Sequence, residues 1–258
     1  MKDKVTILTT THYVASTNKQ KGYRGGNHDR KITNTNLIRS TIEDLYKKIG
    51  RNDLEHIISL DHDESNEGSI EYLNNLRELE KEFPSVKLIV TTQGIYHSIK
   101  NLIDEATTPY YLWFEHDWQF IKDMDLNTLI DTLETDNTVH YIRFNKRFTQ
   151  NEGCDSNLWP KKNSKIPLVG TDGWSNNPYF CRRSTALNWY TIMDETKKGI
   201  IGDFGDKYDP TIEVFLQDYS RNLLKDKKHE EWDQDLGIYI LGKLNDPPVI
   251  KHINGRNK

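Results

Sequence analysis

The apolar positions of this chain recur with two periods, and the switches between them divide it into alternating strands and helices. Val5 to Thr9 is a β-branched run that predicts a strand. A polar stretch over 10–33 follows, rich in glycine (Gly22, Gly25, Gly26) and cations (Lys19, Lys21, Arg24, Arg30, Lys31). Loops of that length in compact domains tend to carry function. Leu37, Ile38, Ile42 and Leu45 recur at helical spacing, with Asn34 or Asn36 available as a cap and Gly50 as the stop. His56 to Leu60 predicts a second strand, which runs into the acidic turn Asp61 to Glu64. A helix over 70–82 carries Leu73, Leu76 and Leu79 on one stripe. Val86 to Val90 is a third strand, and a loop at Gln93 and Gly94 leads into a helix through Ile99, Leu102 and Ile103. Tyr110 to Phe114 is an apolar run of the kind buried on both faces of a sheet. This alternation predicts a doubly wound α/β fold, a mostly parallel central sheet flanked by helices.

Past Asp117 the pattern is less regular. The spacing predicts a helix over 126–133, a strand over 139–144, a polar loop over 149–173, a strand from Pro178 to Cys181 and a helix over 185–193. Asp209 and Pro210 form a helix start, cap followed by first-turn proline, for a helix bearing Ile212, Phe215, Leu216 and Tyr219. Leu236 to Leu241 fits a strand or a short helix, and Val249 to Ile253 a last strand. No repeat or linker divides the chain, so its 258 residues are expected to form a single domain.

Composition narrows the function classes. A net charge of −4 gives no overall attraction to nucleic acid or anionic lipid. The mean hydropathy of −0.79 implies a compact core under a polar surface, and the 10% of aromatic residues argues against disorder. Cys154 and Cys181 are too few for a disulfide framework and lie in no C-x-x-C pair, which fits reduced thiols in a cytoplasmic protein. The first apolar run is too short and threonine-rich for a signal peptide. No stretch reaches the length of a membrane span.

The segment that points to chemistry is Glu115-His116-Asp117. An apolar strand stops abruptly at two carboxylates spaced i, i+2. In open α/β sheets the ligand crevice lies beyond the carboxyl ends of the strands. Two carboxylates there can hold a hard divalent cation that neutralises a substrate diphosphate. Spacing alone also fits an ordinary acidic turn, and the order of the preceding elements decides between the two. Strand and threonines (Thr9), Leu/Ile-striped helix, strand ending in Asp61 and Asp63, glycine turn at Gln93 and Gly94, helix to Ala106, then Pro109-Tyr110 and the strand closing on Glu115-His116-Asp117 follow one another. That order resembles the nucleotide-sugar glycosyltransferases of the GT-A fold, especially the large inverting family headed by polysaccharide synthases, with an E-H-D variant of their D-x-D motif. The resemblance covers Val5 to about Trp118. Two departures stand out: Glu115 replaces the first Asp, and Trp118 follows where an acidic residue is common.

The resemblance implies a metal-dependent transfer of a sugar from a nucleotide-diphosphate donor to a hydroxyl acceptor, a glycan above all. Residues 1–118 would form the nucleotide-sugar-binding half and 119–258 the acceptor-binding half. Asp117 would ligate Mn²⁺ or Mg²⁺, and Glu115 would contact the metal or the donor ribose. Asp61 and Asp63 would sit near the nucleoside, with Thr9, Thr10 and Thr11 lining its pocket. Downstream, Trp174 and Asn176 resemble the loop that contacts donor and acceptor sugars: an indole stacks on a sugar face and an amide bonds hydroxyls. Glu213, in the first turn after Asp209-Pro210, matches the place of the catalytic base in inverting members, with Asp172 as second choice. His252 on the last strand matches a late histidine metal ligand. Arg256 and Lys251 would bind diphosphate oxygens, as would Arg143, Arg182 and Arg183. Two other functions share these residues. One glycosylates a modified base in DNA, with the cations of 19–31, Arg143, Lys146 and Arg147 as the phosphate track. The other is a nucleotidyltransferase-like nucleotide-binding module.

Overall fold

The first strand outlasts its β-branched run: β1 spans Val5–His12 and carries Thr9, Thr10 and Thr11. A computed structural model describes residues 4–13, 33–92, 95–151, 155–204 and 212–253, with backbone alone at 95–97 and 196–204. β1, α1 (Asn36–Ile49), β2 (His56–Asp61), α2 (Glu67–Glu82), β3 (Val86–Thr91), α3 (Ile95–Glu105) and β4 (Tyr110–Glu115) alternate as the periodicity predicts. α1 buries Ile38, Ile42, Leu45 and Ile49 at alternating i+4 and i+3 spacing and stops at Gly50, whose φ of 65° is left-handed. α2 starts a turn ahead of its apolar stripe because Asn66 accepts hydrogen bonds from the Gly68 and Ser69 amides.

These strands pair in parallel in the order β3-β2-β1-β4. The chain winds outward from β1 to β3 and then returns to the far side of β1 to lay down β4. The β1–β4 boundary is therefore a switch point, where helices on opposite faces part and leave a crevice beyond the strand ends. Register decides what stands there. Thr10 lies opposite Glu115, His12 opposite Asp61, and Asp61 opposite Thr91.

The second half of the chain extends the sheet to nine strands with β9 (Tyr179–Arg182), β6 (Tyr141–Arg143), β10 (Ile238–Leu241), β8 (Leu168–Thr171) and β7 (Leu158–Pro160). Only β8 and β9 run against the others, so the sheet is mostly parallel, as expected. β7 and β8 lie within the stretch expected to be a loop. Both are short, and Pro160 is tolerated because β7 is the sheet edge, where a missing N–H breaks no ladder. α4 (Leu126–Thr135) lies where predicted, whereas α5 (Arg183–Phe204) runs past its predicted end and α7 (His229–Asp235) was not signalled by any apolar stripe. α6 (Ile212–Lys225) carries the predicted apolar positions; Asp209 and Pro210 lie outside the described residues.

A second, two-stranded ladder matters more for the site. β5 (Trp118–Phe120) pairs antiparallel with β11 (Ile250–His252), setting His252 opposite Trp118 and Ile250 opposite Phe120. The Ile253 amide donates to the Asp117 carbonyl at 2.9 Å. Phe120 stacks on Phe114 with centroids 5.2 Å apart, which fastens the ladder to the end of β4. Among the described residues no helix is long and apolar enough to cross a membrane.

Candidate active site

β4 is buried from Tyr110 to Phe114, so its polar end is forced to the sheet's carboxyl edge. There the β5–β11 ladder brings the last strand against the motif. His252 Nε2 lies 3.0 Å from Asp117 Oδ2. The ring is set by edge-on packing against Trp118, centroids 4.7 Å apart. Its Nδ1 is buried with no hydrogen-bond partner among the described residues. Trp118 Nε1 donates to Glu115 Oε2 at 2.9 Å, and Lys146 Nζ sits 5.3 Å from the Trp118 ring centroid. The indole thus holds the first carboxylate of Glu115-His116-Asp117.

Electrostatics mark the same spot. Burial pushes the Glu115 carboxyl up to about 7, against the Trp118 hydrogen bond, with the nearby charges of Asp117 and Glu213 adding to the rise and His252 opposing it. Burial also raises Glu213, which hydrogen-bonds the Ser175 side chain and feels Lys146 and Arg143. Glu213 on α6 is therefore within electrostatic reach of Glu115 on β4, far apart as they are in sequence. His116 is driven down to about 4 by burial, although Asp117 opposes the shift, and His12 is lowered for the same reason. The two rings meet edge to face at 5.5 Å. Both are neutral at physiological pH.

Alongside lies a cleft of about 780 Å³, lined by Thr10, Thr11, His12, Tyr13, Asp61 and Asp63 among others. That volume suits a nucleotide-sized ligand. Thr10, Thr11, Asp61 and Asp63 thus line one cleft, the first three at the ends of β1 and β2 and Asp63 just beyond. Asp63 closes a turn by accepting from the Ser65 amide and hydroxyl, which lowers its pKa.

Several expected site residues are elsewhere. Thr9 does not line the cleft: its hydroxyl is buried against His56 Nε2 at 2.8 Å, because alternate side chains of a strand face opposite ways. Trp174 is 1% exposed within a cluster of Tyr141, Tyr179 and Trp189, so it packs the core and offers no face to a sugar. Asn176 is half-buried, and its carbonyl accepts from Trp113 Nε1. Asp172 is no free base: it is 1% exposed and accepts from the Ser156 hydroxyl and from both the amide and side chain of Asn157. Arg143 is buried and forks onto Asp155 at 2.6 and 2.7 Å, which removes it from any phosphate track. Arg182 donates to the Leu133 and Val139 carbonyls, and Arg183 to those of Ile103 and Asp104, closing helix ends. Arg256 and the cations of 19–31 lie outside the described residues. Sequence reasoning missed His12, His116 and Ser175; only the strand-end register of β1 could have pointed to His12.

A divalent cation, implied by the resemblance, can be tested on these donors. Two ligands at right angles with bonds of about 2.1 Å stand about 3.0 Å apart on an octahedral ion. Asp117 Oδ2 and His252 Nε2 have that separation. Among the described residues no group of three His, Cys, Asp or Glu side chains converges on one point. A site of this kind relies on substrate oxygens and water for its remaining ligands, as magnesium sites commonly do. The donor set fits.

No protein-family model matches the chain, and no curated protein matches it. Solved structures do. A mannosyltransferase from Pyrobaculum calidifontis in complex with GDP-Man and Mn²⁺ aligns over 98% of this chain at 14% identity, with a TM-score of 0.49. S. aureus TarS 1-349 aligns over 96% at 11% identity with a TM-score of 0.51, and the same protein in complex with UDP-GlcNAc over 99% at 10% identity, TM-score 0.51. The chain spans 58% of the mannosyltransferase and 60% of each TarS chain. At such identities the likeness is one of architecture, and the architecture is the GT-A fold of the nucleotide-sugar glycosyltransferases.

Proposed function

We propose that the protein is a glycosyltransferase that moves a sugar from a nucleotide-diphosphate donor to a hydroxyl acceptor, with Mn²⁺ or Mg²⁺ held by Asp117 and His252. The observation that carries this reading is the 3.0 Å approach of His252 Nε2 to Asp117 Oδ2 at the switch point of the sheet. The pairing of β5 with β11 creates it by setting His252 opposite Trp118, next to Asp117. The bound UDP-GlcNAc of TarS, whose fold this chain shares, supports a sugar nucleotide as the cleft's ligand.

Each residue then has a task. Asp61 and Asp63, with Thr10 and Thr11, face the nucleoside from the ends of β1 and β2. Glu115, held by Trp118, contributes charge next to Asp117. When bound, the cation supplies positive charge opposite the diphosphate that leaves with the nucleoside. Glu213 takes the proton of the acceptor hydroxyl on a carboxylate oxygen. Its raised pKa makes it a stronger base than a solvated glutamate, and Ser175 and Lys146 keep it oriented and ionised.

Thermal-shift titration with UDP-GlcNAc, GDP-mannose and related donors, with and without Mn²⁺, tests the reading. A true donor at a hundredfold excess over its Kd stabilises the fold by about 2.7 kcal/mol. It should do so only with the metal, and nucleoside diphosphate should be released slowly. Release of pyrophosphate would replace transferase by nucleotidyltransferase. Metal-independent binding would remove Asp117 and His252 from the role.

A further inference from the structure

A second cavity, of about 470 Å³, opens between β7 and the second half of α6. Its floor is Trp159. In the ladder Trp159 faces Gly170, and its indole lies so close over that glycine that a Cβ there would stand 2.3 Å from the ring. Trp232 supports the indole from the side, centroids 5.1 Å apart. Held between a glycine backbone and a second indole, Trp159 remains half exposed in the cavity. A flat, rigid aromatic surface of this kind is what the apolar face of a sugar ring stacks upon.

The cavity's polar groups are arranged around that surface. Asn157 and Asp172 are tied to each other, and Arg221 Nε lies 3.7 Å from Asp172 Oδ2. Lys225, one turn further along α6, and His229 at the start of α7 complete the wall. Both are exposed, and among the described residues neither is paired with a carboxylate. Two permanent cations, Arg221 and Lys225, therefore face a single carboxylate, which is already engaged.

Position ties the cavity to the motif. Glu213 and Arg221 share α6 and stand eight residues apart, about 12 Å along the axis. Asp172 lies on the chain just before Ser175, the hydrogen-bond partner of Glu213. A few linked pyranose rings span that distance.

From this we infer that the Trp159 cavity is a distal acceptor subsite, binding a sugar residue that bears an anionic substituent, a carboxylate or a phosphate, a few units from the hydroxyl that is glycosylated. The inference deepens the glycosyltransferase reading and depends on it only for the word acceptor. Trp159 stacks on the ring, while Arg221, Lys225 and His229 meet the negative group.

The test needs neither donor nor metal. In EDTA, titration calorimetry compares a hyaluronan tetrasaccharide, glucose 6-phosphate and neutral chitotetraose, and ring-proton saturation transfer reports stacking. We expect a charged ligand to bind at least about tenfold tighter than the neutral one, with the preference shrinking as salt rises. K225Q combined with H229Q should remove that preference while leaving donor hydrolysis unchanged, and W159A should abolish stacking. The surface variants guard against misfolding, since W159A uncovers Gly170. Equal affinity for charged and neutral sugars, no binding of any of the three, or a preference that K225Q/H229Q leaves intact would overturn the inference. Preference for the tetrasaccharide points to a uronate, and preference for glucose 6-phosphate to a phosphate. Sugar binding without donor hydrolysis would keep the cavity and refute the transferase; hydrolysis without sugar binding would do the reverse.

Discussion

Glu115→Gln should make the protein more stable, and more so the higher the pH. The glutamine is isosteric, and its carbonyl oxygen can keep the Trp118 Nε1 hydrogen bond that Glu115 Oε2 accepts at 2.9 Å. What it removes is an ionisable group whose pKa the fold has pushed up to about 7 from its ordinary 4.5. A carboxyl raised in this way binds its proton more tightly folded than unfolded. Stability is then intact below the unfolded pKa and is lost as pH rises towards the folded one. With 1.36 kcal/mol per pKa unit, the ionised group costs about 3 kcal/mol at pH 8 and under about 1 kcal/mol at pH 5. Equilibrium urea unfolding in EDTA at both pH values measures the difference. The variant should gain about 2 kcal/mol more at pH 8 than at pH 5, which corresponds to a Tm rise of about 5 to 8 °C. The same variant should lose Mn²⁺-dependent donor binding, because the charge that destabilises the fold is the one that serves the cation. A gain that is equal at both pH values, or absent, would show that Glu115 is not desolvated and would remove the electrostatic case for the site.

Asp117→Ala should weaken Mn²⁺-dependent donor binding by more than about a hundredfold while far-UV circular dichroism stays unchanged; donor affinity close to wild type would exclude it as a ligand. Glu213→Gln should lower turnover by about a hundredfold or more with donor affinity nearly constant, as expected of a base acting in the transition state. Loss of donor binding in that variant would assign Glu213 to the nucleotide sugar instead. His56 is buried between Thr9 and Tyr46 with its pKa down at about 3, so the folded state takes up its proton only well below the unfolded value. The stability this provides is present above about pH 6.5 and lost as pH falls, by about 2 kcal/mol between pH 7 and pH 5. His56→Gln should flatten the unfolding free energy over that interval, and an unchanged slope would show that the ring titrates normally.

The first half of the fold was legible because each of its elements carries its own signal. α1 shows a stripe at Ile38, Ile42 and Leu45 and a left-handed glycine stop, and β4 is an unbroken apolar run ending on charge. The second half was less legible where pairing decides the outcome. β5, β7, β8 and β11 are three or four residues long, too short for a period to register, and they exist because partners distant in the chain lie alongside them. The same limit governs the site residues. The position of Asp117 just past the end of β4 was readable from the apolar run before it. Trp174 and Asp172 looked like sugar and proton contacts because residue type alone cannot distinguish a pocket wall from a packed core. Their burial at 1% exposure is a tertiary fact. Thr9 was misplaced for a simpler reason: in a strand only every second residue faces one side, and Thr9 faces away from the cleft.

The candidate site is assembled by two separate devices with a clear division of labour. The parallel strands fix Glu115 and Asp61 through register, a geometry shared by any sheet with this order. The β5–β11 ladder then delivers His252 from the other end of the chain, with Trp118 as its cross-strand partner. Trp118 touches three members of the site at once: it donates to Glu115, packs edge-on to His252 and lies under Lys146. An acid at that position would add a further negative charge beside Asp117, whereas the indole positions the existing ones without adding any. Glu115 has a long side chain, and the Trp118 hydrogen bond fixes its end. Trp118→Phe separates the two tasks. It keeps the packing on His252 and removes the donor to Glu115. That hydrogen bond favours the ionised carboxylate, so its loss should raise the Glu115 pKa further, and the alkaline loss of stability should grow. Carbon-13 NMR titration of the labelled Glu115 carboxyl reads the pKa directly. A pKa unchanged in Trp118→Phe would show that the indole is packing alone and that some other group holds the carboxylate.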